Sequence, residues 1–198
     1  MINILIALPT AKNIETDTFK SIYNLIIPEN VNTHLEFFYG YKIDQIRNLI
    51  AHYSIENNFD YVLCVDSDMV LPNDTLVRLL NHNKDIVTGI YRQRFLDKVI
   101  LEVYEENISG GVNNIDVNNL PTELFQIAGS GFGCILVNVN VFRTITYPYF
   151  KYIDNIDFDN TISEDIFFSY RAKECGYNVW CDPNLEYGHI SNTILRIH

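Results

Sequence analysis

Two acids, Asp66 and Asp68, follow the apolar run Tyr61–Val65 and are separated by Ser67. In an extended chain, residues two apart project to the same side. Both carboxylates therefore share one face at the end of a strand. They repel each other unless a cation lies between them. A hard divalent ion, Mg²⁺ or Mn²⁺, satisfies such a pair and can bridge to phosphate oxygens. In open α/β sheets, ligands bind beyond the carboxyl ends of the strands, where these acids sit. The competing reading is a pair of acids capping a turn. The strand before them, the exit Met69-Val70-Leu71-Pro72 and the helix cap at Asn73 favour chemistry over capping.

Further candidates lie downstream. Ser163-Glu164-Asp165 opens a helical pattern containing Ile166, Phe167 and Tyr170. Acids in a first helical turn are favoured by the macrodipole, and Ser is a preferred cap. Equally, Glu164 or Asp165 could accept a proton from an acceptor hydroxyl as a general base. His189, in Glu186-Tyr187-Gly188-His189-Ile190, reads alone as a structural residue, although a neutral imidazole beside two carboxylates can complete a divalent site. Arg92 and Arg94 follow a strand at the functional edge. They suit a diphosphate or a charged acceptor as well as they suit a solvated loop, and the same holds for Lys12. Aromatic residues are 13% of the chain and include Tyr147, Tyr149, Phe150 and Tyr152 around Pro148, a cluster that serves packing more often than sugar stacking.

These residues need a scaffold. Apolar strands are expected at 1–8, 35–39, Tyr61–Val65 and 86–91. Helical spacing covers 16–27 and 44–57, and a short helix capped by Asn73 carries Leu76, Leu79 and Leu80. This alternation predicts an α/β fold with a mainly parallel central sheet and helices on both faces. The second half is more mixed. Strands are expected at 99–104, 124–128, Cys134–Asn138 and 178–181, and a helix at 164–175, stopped by Gly176. Residues 1–198 read as one domain, with a nucleotide-binding half at 1–95 and an acceptor and catalytic half at 96–198.

The composition narrows the function. The chain has 198 residues, of which 47% are hydrophobic, as in an ordinary globular domain. No apolar run is long enough to span a membrane, and the start reads as a buried strand. The net charge of -11 argues against a broad electrostatic grip on nucleic acid or on an anionic membrane. An acidic protein that binds an acidic nucleotide needs cations inside its site. Cys64, Cys134, Cys175 and Cys181 form no CxxC pair and read as reduced thiols of a cytoplasmic protein.

Taken in order, these pieces resemble the GT-A fold glycosyltransferases, especially the family 2-like branch. The matching elements are Ala7-Leu8-Pro9-Thr10, Arg47-Asn48, Asp66-Ser67-Asp68, Gly129-Ser130-Gly131-Phe132-Gly133, Ser163-Glu164-Asp165 and Gly188-His189. The resemblance implies a GT-A sheet and a set of roles. Pro9 and Thr10 would line the nucleoside pocket, with Arg47 and Asn48 near the nucleotide. Asp66 would lie by the ribose or sugar, with Ser67 beside it, and Asp68 and His189 would hold Mn²⁺ or Mg²⁺. Gly129, Ser130 and Gly131 would border the donor sugar or acceptor, with Arg92 and Arg94 as further substrate contacts. Asp165 would be the base of an inverting reaction, with Glu164 beside it. The chain looks like compact stand-alone enzymes of phage and viral genomes, which implies a host cytoplasm. It lacks the Q-x-x-R-W stretch of polysaccharide synthases, so a processive polymerase is not expected.

The implied activity is transfer of a hexose from a nucleotide-diphosphate donor, a UDP-sugar before a GDP-sugar, to a hydroxyl acceptor. A hydroxylated nucleobase is one alternative acceptor, and it is the only role left for nucleic acid. A non-catalytic nucleotide-sugar-binding module is another alternative. Nucleotidyl transfer would call for a Gly-rich basic loop after the first strand, and Pro9-Thr10-Ala11-Lys12 stands there instead.

Overall fold

A computed structural model describes residues 1–11, 13–95, 97–154, 161–191 and 194–195. Lys12 lies outside the described residues. In chain order the elements are β1 (Ile2–Pro9), α1 (Thr16–Tyr23), β2 (Val31–Phe38), α2 (Ile43–Glu56), β3 (Tyr61–Val65), β4 (Met69–Val70), α3 (Thr75–Asn81) and β5 (Ile86–Ile90). The second half has β6 (Val103–Glu106), β7 (Val112–Asn114), β8 (Phe125–Ile127), β9 (Gly129–Ser130), β10 (Cys134–Asn138), α4 (Val139–Thr144), α5 (Glu164–Glu174), β11 (Val179–Glu186), β12 (Gly188–Ile190) and β13 (Ile194–Leu195).

Seven strands form the main sheet in the order β2-β1-β3-β10-β5-β11-β8. The expectation of a mainly parallel sheet is corrected: the sheet is mixed. β1 runs parallel to β2 and β3, and β11 runs parallel to β5. β10 is antiparallel to both β3 and β5, and β8 is antiparallel to β11. A parallel neighbour needs a long crossover, usually a helix. Helices alternate with strands only as far as β5; the strands from β6 to β10 follow one another without an α-helix between them. An apolar pentapeptide such as Cys-Ile-Leu-Val-Asn carries no sign of its direction.

Helices cover both faces, as the continuous burial of β1 and β3 requires. Leu5, Ala7, Val62 and Cys64 pack with Ile46 and Ile50 of α2, Phe142 of α4 and Phe168 of α5. Ile4, Ile6, Leu63 and Val65 pack on the other face with Ile22 of α1 and Leu76 and Leu79 of α3. A strand buried on both faces reads as a continuous apolar run, and these two do.

Boundaries differ where that signal fades. β2 starts at Val31 rather than 35, because it is an edge strand whose middle is exposed. α1 stops at Tyr23, and α3 is flanked by Asp74 rather than Asn73 at its cap position. β11 runs on to Glu186, with its pairing to β5 broken between Cys181 and Glu186 around Pro183. All four cysteines are free, and Cys64, Cys134 and Cys181 are buried. Among the described residues no helix is long and apolar enough to cross a membrane.

Candidate functional site

The carboxyl end of β3 is fixed from two sides. The Asp66 amide donates to the Gly133 carbonyl at 2.9 Å, which ties the exit of β3 to the start of β10. Two residues on, β4 pairs antiparallel with β12, placing His189 opposite Met69, and the Ile190 amide donates to the Asp68 carbonyl at 2.8 Å. This small ladder brings Asp68 Oδ2 to 3.7 Å from His189 Nε2, although the two residues are remote in sequence.

The hydrogen bonds of His189 define its tautomer. Nδ1 lies 2.9 Å from the Arg92 carbonyl, which can only accept, so Nδ1 carries the proton. Nε2 then presents a lone pair to the cleft. Arg94 Nε donates to it at 2.9 Å, and the Arg94 guanidinium also pairs with Asp68. Burial, with help from the Arg94 charge, holds the imidazole below its ordinary value, in keeping with the neutral form that its two hydrogen bonds require.

A neutral imidazole nitrogen and a carboxylate oxygen facing one point are donors that a divalent transition ion such as Mn²⁺ could use; the imidazole is a poorer ligand for Mg²⁺, which prefers oxygen. Arg94 places a cation on the same two atoms. Among the described residues no group of three or more His, Cys, Asp or Glu side chains is gathered closely enough to hold a metal. Asp68 and His189 alone would leave most positions of such an ion to phosphate and water.

Arg47 is the electrostatic hub behind these acids. It rises from α2, is 5% exposed, and stacks over the Phe132 ring at 5.0 Å. Its Nη2 lies 3.5 Å from both Asp66 oxygens. Its Nη1 lies 2.7 Å from Glu164 Oε1 and 4.0 Å from Asp165 Oδ2. Burial alone would lower the guanidinium pKa, but the three carboxylates outweigh it and raise the value. Burial also pushes Asp66 and Glu164 above the ordinary carboxylate range; Arg47 opposes this and the neighbouring acids add to it.

A cleft of about 310 Å³ opens in front of this edge. Pro9, Thr10, Tyr41, Asp66, Asp68 and Arg94 line it, with Ser67 between the two acids. Thr10 is held by its amide on the Phe38 carbonyl and its hydroxyl on the Asn13 carbonyl. Asp165 faces Arg47 Nη1, the nitrogen that also meets Glu164, whereas Asp66 faces Nη2. The Asp165 carboxylate accepts from the Ser163 hydroxyl and from the Ile166 amide, so Ser163 serves Asp165 rather than a helix-capping amide.

Other expected site residues are held in packing roles. Asn48 spends its amide on the backbone of Tyr149 and Phe150, tethering the segment after Pro148 to α2. Ser130 is fully buried, and its hydroxyl donates to the Glu102 and Gly131 carbonyls. A Cβ on Gly129 would meet Ser169 and Ile166 of α5, and one on Gly131 would collide with Tyr91 Oη. These glycines admit neighbouring protein rather than a ligand. Arg92 donates to the Phe95 and Lys98 carbonyls, which folds the loop that carries Arg94.

Three residues without an expected role join the site. Tyr41 is 66% exposed and lines the cleft. Tyr91 is buried, accepts from the Gly133 amide at 3.0 Å and sets its ring edge-on to His189 at 5.6 Å. Glu102 accepts from Tyr104 Oη at 2.6 Å, and burial pushes its carboxyl up beside Asp165 and His189. An acid inside the otherwise apolar stretch 99–104 was the available signal for Glu102.

No family model matches the chain, and neither does any curated protein. Among solved structures it resembles the crystal structure of A197 from STIV, with a TM-score of 0.66 over 96% of this chain and 86% of that one. The identity is 15%, so the likeness shows the fold alone. The class that fold and site define together is an α/β domain with a mixed sheet and an acid-rich cleft at the carboxyl end of its first strands.

Proposed function

We propose that the protein is a metal-dependent glycosyltransferase that moves a hexose from a UDP-sugar to a hydroxyl acceptor with inversion. The observation that carries this reading is the convergence of Asp68 Oδ2 and the His189 Nε2 lone pair beside a cleft floored by Asp66. A Mn²⁺ or Mg²⁺ ion held by Asp68 and His189 would supply Lewis-acid stabilisation to the leaving diphosphate. Pro9, Thr10 and the Tyr41 ring would receive the nucleoside, and Asp66 would accept hydrogen bonds from ribose or sugar hydroxyls.

Asp165 is the general base in this reading. Its oxygen accepts from Ser163 while Glu164 is committed to Arg47. The acceptor hydroxyl gives its proton to Asp165, its oxygen bonds to the anomeric carbon, and the bond to the diphosphate oxygen breaks with its electron pair. Arg47 contacts both acids, Asp66 through Nη2 and Asp165 through Nη1, and so anchors the base relative to the cleft. The reaction centre passes through an oxocarbenium-like state.

The test is isothermal titration of UDP and GDP, each with and without Mn²⁺, on wild type and Asp68→Ala. Mn²⁺-dependent UDP binding that the variant loses is the expected result. A preference for GDP changes the donor and keeps the class. No binding of either nucleotide by folded protein overturns the reading.

A further inference from the structure

We infer that the acceptor is a neutral carbohydrate, seated in a second cavity between the β6–β7 hairpin and the start of α5; this rests on the transferase reading above. The cavity measures about 600 Å³ and is separate from the nucleotide cleft. That is within the range of sites that enclose a small organic ligand, roughly 300–1,000 Å³.

Position is the first argument. Ser163 and Ile166 line the cavity, and both hydrogen-bond to the Asp165 carboxylate that lies between them in sequence. Tyr104 lines it too, and its hydroxyl is held on Glu102. Asp165 itself does not border the cavity; its two hydrogen-bond partners do, so the cavity lies one side chain away from the base.

The lining chemistry is the second argument. Tyr104, Tyr152 and Tyr170 supply aromatic faces, and Tyr152 is half exposed. Asn107, Ser109 and Thr161 supply hydroxyl and amide groups. Thr161 Oγ1 is buried and has no hydrogen-bond partner among the described residues, a buried polar atom left unsatisfied in the wall of the cavity. Rings with a polar tip beside short polar side chains match a ligand that has apolar ring faces and hydroxyl edges.

Charge is the third argument. Among the described residues, those lining the cavity include no Lys, Arg, Asp or Glu. Phosphates and acidic sugars are gripped by Arg and Lys, so a nucleic-acid strand or a uronic acid finds no counter-charge here. The net charge of -11 repels both at longer range. The hairpin wall is preformed: Asn107 Oδ1 accepts from the Ser109 and Gly111 amides at 3.0 and 2.9 Å.

The experiment is a printed array of neutral glycans, acidic glycans and an oligonucleotide carrying 5-hydroxymethylcytosine, probed with the labelled whole chain in UDP and Mn²⁺. Tyr152→Ala, which trims an exposed ring, and Ser109→Trp, which fills the mouth from a surface turn, are compared with wild type. Tyr147→Ala, in a third cavity that runs along α2 past Gln45, Asn48 and His52 and shares no residue with this one, is the control. The expected result is binding to neutral glycans alone, weakened at least tenfold by both cavity variants and unchanged by the control. Binding confined to the oligonucleotide or to acidic glycans overturns the inference. So does neutral binding that only the control removes, or no glycan binding while UDP titration is intact. Loss of UDP binding in wild type would instead strike the transferase reading itself.

Discussion

Arg47 Nη1 and Glu164 Oε1 lie 2.7 Å apart, with side chains 5% and 9% exposed. Removing one member of such a pair leaves the other charge buried without compensation. Arg47→Ala strands three carboxylates and is expected to cost about 3–5 kcal/mol in urea unfolding. Glu164→Gln leaves Asp66 and Asp165 on the guanidinium and should cost less. Equal losses would mean that Arg47 is not the hub.

Asp165→Asn removes the only carboxylate assigned to proton transfer and leaves the nucleotide cleft alone. Turnover is expected to fall by about 10²–10⁴-fold, the usual contribution of a general base. The affinity for UDP with Mn²⁺ should stay at the wild-type value. A variant with near-normal turnover would move the base elsewhere, with Glu102 the first place to look.

Arg94 occupies the two atoms assigned to the metal. Its side chain is 55% exposed, so its hold is that of a surface ion pair, about 0.2–1 kcal/mol. Arg94→Ala should therefore tighten binding of Mn²⁺ alone by about 1.5- to 5-fold, on the usual conversion of free energy to affinity. Electron paramagnetic resonance of free Mn²⁺ reads this directly. Weaker binding would show that Arg94 supports the ion rather than standing in for it.

Asp182 ties β11 to α3: it accepts from Arg78 and His82 at 2.8 and 2.9 Å and from the Asn184 amide at 2.9 Å. Burial alone would raise its pKa, but these bonds outweigh it and hold the carboxyl below the ordinary value. A depressed folded pKa contributes stability that is complete above the unfolded value, about 4, and is lost as pH falls through the folded one. Asp182→Asn should lower stability at pH 7 by about 1–3 kcal/mol and flatten the decline of stability below about pH 4. An unchanged acid limb in thermal melts would contradict this.

Gly131→Ala pushes a methyl against Tyr91 Oη, the nearest atom to that position. The overpacking is expected to cost about 1–3 kcal/mol. Tyr91→Phe removes that oxygen, so the double variant should recover part of the loss in chemical denaturation. No recovery would place the strain in the backbone of β9 instead.

How much of this was legible depended on burial and sequence distance. β3 and β10 matched the expected ranges, 61–65 and 134–138, because they are central and apolar on both faces. β2 was truncated because its edge position leaves its middle exposed. Asp66 and Asp68 both border one cleft at the strand end, but residues 67 and 68 form a turn rather than the extended chain expected from the spacing, so Asp66 faces Arg47 while Asp68 faces His189 and Arg94. The nearness of His189 to Asp68 was expected from the resemblance alone; local pattern could not show it, since it depends on the β4–β12 ladder, and two- and three-residue strands leave no periodicity. The glycines of 129–133 were visible as glycines, but their reason is packing against Tyr91 and α5, and only coordinates locate those neighbours.

The place of β10 between β3 and β5 also governs how the chain can be divided. A fragment ending at residue 95 would carry β3 and β5 with an empty slot between them, exposing two unpaired strand edges. Such edges invite association with other chains. The two halves of the chain are thus interlocked, and a split chain should regain its fold, and any activity proposed for it, only by complementation, with the later fragment threading its strand into the slot. During synthesis the same slot stays open until residues 134–138 emerge, so completion of the sheet waits on a long-range pairing, the slow kind.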